Sequence, residues 1–233
     1  MTHLHNLLRE GRSYTFINPY SFLILRKLNK DYLNSGCFQF FLDGFFLVWV
    51  LKLLGLRNIE RMSFDDSSLA PYIFEYCKNN NKTIALIGSA PGVTSDAKLI
   101  LERRYPGLKI EFFENGFFDS SCEKKVIEQT LSCDFVICSM GTPRQEDFLI
   151  KLRDLGWKGT GYTCGGYLDQ LVEAKGSNYY PYLIDKFNLR WLYRIYKEPR
   201  RLFLRYLLDY PKGIILFIYD YLFKRIDKNI FIG

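Results

Sequence analysis

Asp134-Phe135-Val136-Ile137-Cys138-Ser139-Met140-Gly141-Thr142-Pro143-Arg144-Gln145-Glu146-Asp147 runs from an apolar stretch through a glycine turn into a polar helix start. Phe135 to Met140 is expected to be a buried parallel strand, because parallel strands carry helices on both faces and so need apolar side chains on both. In an open α/β sheet, ligands bind beyond the carboxyl ends of the strands. Gly141 lets a ligand approach the backbone, Pro143 suits a first helical turn, and Arg144, Gln145 and Glu146 bring polar heads to the mouth. The plainer alternative is an ordinary strand-to-helix connection.

The same alternation extends outward in both directions. Strands are expected at Ser13 to Asn18, Phe38 to Leu42, Thr83 to Ile87, Lys109 to Phe113 and Thr160 to Cys164. Helices are expected from Pro19 to about Asn29, Phe45 to Leu54, Ser67 to Lys78, Gly92 to Arg104 and Cys122 to Leu131. The helix at Phe45 to Leu54 is apolar apart from Lys52 and reads as buried. After Pro181 the pattern is helical throughout. The predicted fold is α/β: a Rossmann-like, mostly parallel sheet flanked by helices over residues 1–180. A basic, aromatic C-terminal helical appendage follows over 181–233, where it is expected to meet a membrane.

Composition narrows the function. The 233 residues are 48% hydrophobic, enough for a sizeable core. The longest apolar stretch, Phe45 to Leu51, is far short of the roughly 20 residues a membrane-spanning helix needs. The first fifteen residues are polar and charged, without the pattern of a secretory signal. The six cysteines (37, 77, 122, 133, 138, 164) form no C-x-x-C pair and no metal-ligand spacing with His3 and His5. They are expected to be reduced and mostly buried, in a cytosolic protein. From Arg190 to Gly233 ten Lys and Arg face four Asp and Glu, so this last fifth carries +6 of the chain's +7. Basic and aromatic residues interleaved on amphipathic helices suit an anionic membrane surface. Nucleic acid and a merely solvated helix face are the competing readings of that composition.

Four glycine loops follow apolar strands: Asp43-Gly44, Gly88 to Gly92, Gly141 to Pro143 and Gly165-Gly166. A parallel sheet brings such ends to one edge. Gly88-Ser89-Ala90-Pro91-Gly92 offers helix N–H groups to a phosphate, yet matches neither G-x-G-x-x-G nor the P-loop. Asp43, between Leu42 and Gly44, either caps the following helix or faces a cavity, where a carboxylate can take a proton from a hydroxyl. The chain has no D-x-D triplet, no G-x-S-x-G elbow and no histidine cluster. A bound diphosphate would therefore be met by arginines and backbone N–H groups. Arg194, Arg200, Arg201 and Arg205 are the supply. Arg194 and Arg201 share a helical face unless Pro199 breaks the helix between them.

Taken in order, these motifs resemble the WecG/TagA/CpsF glycosyltransferases, glycosyltransferase family 26, from about residue 14 to about 210. The resemblance rests on Asn18, Leu42-Asp43-Gly44, Ile87 to Val93, Tyr105-Pro106-Gly107-Leu108, Gly116-Phe117-Phe118, Met140 to Glu146, and Trp191-Leu192-Tyr193-Arg194 with Glu198-Pro199-Arg200-Arg201. It implies an inverting, metal-independent and cofactor-free transfer. The sugar would be a hexose, N-acetylhexosamine or uronic acid, moved from a UDP-sugar to an undecaprenyl-diphosphate-linked saccharide during synthesis of a bacterial surface polysaccharide. The protein would be cytoplasmic and peripheral on the inner face of the plasma membrane, with no nucleic-acid partner. Asp43 falls on the family's proposed base. Asn18, Gly88, Ser89, Gly92, Gly141, Thr142, Arg144, Gln145, Glu146 and Gly165 fall on substrate-binding positions. Arg194 and Arg201 fall on arginines that meet the diphosphate, with Arg205 displaced by one position from a third. Phe16, Phe64, Tyr179-Tyr180 and Arg190 depart from the family's pattern, at positions expected to face substrate or dock the tail. An inert, membrane-associated binding partner is the alternative function. An exposed basic and aromatic tail also favours self-association into a homo-oligomer.

Overall fold

The computed structural model describes residues 8, 11–28, 38–55, 59–187, 189–223 and 225–226. His3, His5 and Cys37 lie outside them, as do Asn29 at the expected end of the first helix and Lys224, Asp227 and Lys228 of the basic last fifth. The strands are β1 (Ser13–Ile17), β2 (Phe38–Leu42), β3 (Thr83–Gly88), β4 (Lys109–Glu114), β5 (Phe135–Ser139) and β6 (Thr160–Thr163). The helices are α1 (Pro19–Lys27), α2 (Phe45–Leu53), α3 (Leu69–Asn79), α4 (Val93–Arg104), α5 (Ser120–Leu131), α6 (Arg144–Asp154) and α7 (Tyr167–Glu173). Toward the C-terminus come α8 (Tyr182–Lys186), α9 (Arg190–Lys197), α10 (Pro199–Leu204), a π-helical turn (Arg205–Asp209) and α11 (Tyr210–Leu222).

The six strands form one sheet in the order β2-β1-β6-β5-β3-β4. The β1–β6, β6–β5, β5–β3 and β3–β4 ladders are parallel. Burial follows position. Central β5 is buried at every residue, whereas edge strand β4 alternates, with Ile110 covered and Lys109 and Glu111 exposed. β3 passes through α4 to β4 on one side, while β5 passes through α6 to β6 on the other. The topological switch point thus lies between β3 and β5, where a parallel sheet opens a crevice beyond its strand ends.

The described chain groups into two compact units, one of residues 1–15 and 63–177 and one of residues 16–62 and 178–233. The first holds β3 to β6 and an aromatic core of Tyr14, Phe64, Phe74, Phe135, Tyr162 and Tyr167. In the second, α1 and α11 are packed together. A Cβ on Gly213 would lie 2.1 Å from the Pro19 carbonyl oxygen, so only glycine permits that approach. Phe22 meets Phe217 edge-on, and Arg26 clasps the buried Asp220 carboxylate through Nε at 2.6 Å and a second nitrogen at 3.3 Å. The last helix is therefore part of a core.

Two expectations are corrected here. α2 is not a buried helix: Leu47, Val48 and Leu51 are covered, but Phe45, Phe46, Trp49 and Leu53 are exposed. Lys52 is the one polar residue of this helix and lies on the exposed side, a single signal outweighed by the apolar run around it. Phe64 does not face substrate. It is 4% exposed and fills the core of the first unit against Phe74, Tyr162 and Tyr167. α7, for which the sequence reading had no element, follows the Gly165-Gly166 turn.

Candidate active site

In the first unit, the loops after β3, β5 and β6 are stitched together at the switch point. Ser89 N–H donates to the Ser139 carbonyl at 2.8 Å, and Ser89 Oγ bonds Ser139 Oγ at 3.0 Å and Asp169 Oδ2 at 2.9 Å. Ser139 Oγ in turn donates to the Gly165 carbonyl. Gly88 belongs to this stitching rather than to open space, because a Cβ there would lie 2.3 Å from the Ser139 carbonyl carbon. Gly92, Gly141 and Gly165 differ. Each has a positive φ (90°, 72° and 57°), and a Cβ on any of them would meet nothing within 4 Å. The conformation selects glycine, and the space beside it is open.

The Thr142–Pro143 bond is cis, and Pro143 stands at the N-cap of α6 rather than in its first turn. No N-cap side chain bonds the first turn of α4 or α6; the Val93 and Gln145 N–H groups donate instead to the Ala90 and Gly141 carbonyls, at 3.1 Å each. Arg144 extends over Phe117 and donates to the Gly116 carbonyl. Gln145 and Glu146 point inward and are 4% and 1% exposed. Glu146 Oε1 accepts from Thr15 Oγ1 at 2.8 Å, Gln145 Nε2 at 3.1 Å and Thr142 Oγ1 at 3.2 Å. Its Oε2 is buried without a hydrogen-bond partner. Burial holds this carboxyl above the usual range, against the pull of those three donors. Gln145 Oε1 accepts from Gly165 N–H at 3.3 Å, which ties the β5 and β6 loops. These two residues brace the loops from behind.

In the second unit, Asp43 ends β2, with its N–H donating to the Ile17 carbonyl at 2.8 Å. It does not cap α2, whose N-cap is Gly44 without a side-chain hydrogen bond. Asp43 Oδ1 pairs with Arg61 at 3.1 Å, and both side chains are about one-third exposed (33% and 30%). Arg194 lies close enough to feel the Asp43 charge. Burial works against its guanidinium, but Tyr206, Tyr180, Tyr210 and Asp43 outweigh it and hold the pKa above the ordinary arginine value. Arg194 therefore stays cationic among tyrosines.

Other predicted residues take other positions. Asn18 caps α1, its Oδ1 accepting from the Tyr20 and Ser21 N–H groups at 3.0 Å each. The helix does break before Pro199: α9 ends at Lys197 and α10 starts at Pro199, so Arg194 and Arg201 do not share a face. Arg201 is exposed and pairs with Glu198. Arg205 stacks over the Tyr20 ring at 3.8 Å from its centroid. Arg190 and Tyr179-Tyr180 have local partners: Arg190 pairs with Asp185 and lies over Tyr180, while both tyrosines pack on Tyr193. Arg61 is the charged neighbour that the sequence reading missed. It arrives by a single bridge to Leu42, which no local pattern announces.

A cavity of about 460 Å³ opens instead beside Cys133, Asp134 and Trp157, near the start of β5. It is at the wrong end of the strands for a ligand of an open α/β sheet. Among the described residues, no group of three or more His, Cys, Asp or Glu could hold a metal ion.

A parallel α/β sheet with open glycine loops at its switch point in the first unit, and a strand-end carboxylate paired with Arg61 in the second, place the chain in the class of ligand-binding α/β proteins. Within that class the chain belongs to the glycosyl transferase WecG/TagA/CpsF family, which it matches over residues 1–227, and it is a glycosyltransferase. It is 35% identical over 219 residues to UDP-Gal:alpha-D-GlcNAc-diphosphoundecaprenol beta-1,4-galactosyltransferase of Shigella boydii, covering 92% of this chain and 89% of that one. It is 27% identical over 172 residues to N-acetylglucosaminyldiphosphoundecaprenol N-acetyl-beta-D-mannosaminyltransferase of Bacillus spizizenii, covering 74% of this chain and 65% of that one. An enzyme of that same name from Staphylococcus aureus (strain MW2) is 27% identical over 124 residues, covering 53% of this chain and 48% of that one.

Proposed function

We propose that the protein transfers a sugar, with inversion, from a UDP-sugar to a saccharide linked to undecaprenyl diphosphate, at the cytoplasmic face of the membrane. The observation that carries this reading is the state of Asp43: a one-third-exposed strand-end carboxylate, paired with Arg61 and not spent on capping α2. Both relatives named first above act, by their names, on diphosphoundecaprenol-linked sugars.

The roles divide by chemistry. The open loops at Gly92, Gly141 and Gly165, with the positive N-terminal ends of α4 and α6, receive the donor nucleotide, and Arg144 adds a cation. Thr142, Gln145 and Glu146 hold those loops in shape. Asp43 accepts the proton of the acceptor hydroxyl as that oxygen attacks the anomeric carbon. The bond from that carbon to the diphosphate oxygen breaks, and UDP leaves with the electron pair. Arg194 meets the growing charge on the leaving group, the stabilisation that counts in the transition state. Arg201 and Arg205 are further diphosphate contacts in this scheme, and the basic C-terminal helices hold the enzyme to the anionic surface where its acceptor resides.

The test is a screen of UDP-sugars against short-chain polyprenyl diphosphate saccharides, read by mass spectrometry. UDP-galactose, the donor named for the Shigella boydii relative, comes first. A product heavier by one glycosyl residue, with UDP released, is the predicted result. UDP bound without any product across the screen would support an inert binding partner instead.

A further inference from the structure

α2 exposes the most apolar face in the neighbourhood of Asp43. At 3.6 residues per turn, Phe45, Phe46, Trp49 and Leu53 fall within an arc of about 100°. They are 54%, 46%, 54% and 67% exposed, while Leu47, Val48 and Leu51 cover the opposite side. Lys52, also exposed, borders the arc. Asp43 precedes the first of these residues by two positions, so whatever holds α2 also sets the depth of that carboxylate.

Size and charge point to the occupant. The three half-exposed rings and the more exposed Leu53 offer about 100 Å² each, so the face of α2 presents roughly 400 Å². That is about half of what one partner contributes to a stable protein interface. The charge is divided sharply. The unit containing α2 has 17 Lys and Arg against 8 Asp and Glu, a formal +9, whereas the other unit has 15 against 17, a formal −2. A tryptophan and two phenylalanines bordered by lysine, on the strongly cationic unit, have the chemistry of a helix lying in the plane of an anionic bilayer.

We propose that the outer face of α2 seats in the headgroup–acyl boundary of an anionic bilayer and so holds Asp43 at the level where a lipid-linked hydroxyl arrives. The second half of this inference rests on the proposed function; the first half does not. α2 is thus a membrane contact separate from the C-terminal helices.

The experiment uses the full chain with vesicles of phosphatidylcholine containing phosphatidylglycerol, and no donor or acceptor. In Trp191→Phe protein, Trp49 reports on α2 while Trp157 stays buried as a constant background. Trp49 emission should move to shorter wavelength on adding vesicles. The double variant Trp49→Ser/Leu53→Ser should lose about tenfold in vesicle partition, from two half-buried apolar side chains. Its circular dichroism should match the parent, because both residues are exposed. Unshifted emission together with unchanged partition would overturn the proposal. So would loss of an oligomer in sedimentation velocity with no change in vesicle binding, since a second copy would then cover the face. A protein whose Trp49 emission shifts on vesicles yet which transfers no sugar across the donor and acceptor screen would count against the transferase reading and leave the α2 contact standing.

Discussion

Glu146 is a buried carboxyl that holds its proton more tightly than a solvated one. Its carboxyl is buried with one oxygen unpartnered, and burial holds its pKa above the ordinary glutamate range. A group that binds its proton more tightly folded than unfolded supports the fold fully below its unfolded pKa. That support fades as pH rises through the folded pKa. Glu146→Gln, which cannot ionise, should therefore melt higher than the parent at pH 8, with the difference shrinking to near zero by about pH 4. A Tm series across that range checks it, and a constant offset would contradict it. Thiol chemistry follows burial in the same way. Burial pushes the Cys133 thiol up to about 11 and the Cys164 thiol up to about 12. At pH 8 an alkylating reagent should modify exposed Cys122 before the other described cysteines, as read by peptide mass spectrometry. At this scale the sequence showed where polar residues stand between strands and helices better than how each one is held. Gln145 and Glu146 were legible as polar groups after a strand, but their inward turn was not. It depends on Thr15, 131 positions from Glu146 in sequence. Asn18 was legible as a polar residue between strand and helix, and capping is the role its neighbours give it.

Among elements, the strands were the most legible, because a parallel strand buried on both faces is written as an unbroken apolar run. β2 begins and ends at the residues expected. The helices of the second unit were less so. α2 shows why: its sequence says apolar, and only packing decides which apolar side chains are covered. The break at Glu198 and the π-helical turn at Arg205–Asp209 separate arginines that spacing alone would stack. α11 illustrates the energetic side. Arg26→Ala would leave the buried Asp220 carboxylate unpaired, which should cost about 3 kcal/mol. Gly213→Ala should cost about 1–3 kcal/mol by forcing α11 off the Pro19 carbonyl. Denaturant titration of both variants checks these values, and losses below about 0.5 kcal/mol would show that α1 and α11 do not depend on one another. The same contacts mean that deleting everything after residue 188 removes core side chains such as Phe217. Membrane binding is therefore better probed by point substitutions.

For the whole molecule, no helix among the described residues is long and apolar enough to cross a membrane. Charge was visible in the sequence as a basic last fifth. What was not visible is that the fold adds α1 and α2 to the same unit and concentrates the excess there. Vesicle binding should accordingly require anionic lipid and weaken as salt is raised from about 0.05 to 0.5 M, since the Debye length shrinks severalfold over that range. Flotation with neutral and phosphatidylglycerol-containing vesicles measures this, and salt-independent binding would contradict it. The central claim concerns the reaction itself, and Asp43→Asn tests it most directly. Once a donor and acceptor pair is identified, the variant should bind UDP with near-parental affinity by calorimetry while kcat falls by about 10²–10⁴-fold. Turnover within a few-fold of the parent would contradict the account, because the acceptor proton would then have another destination.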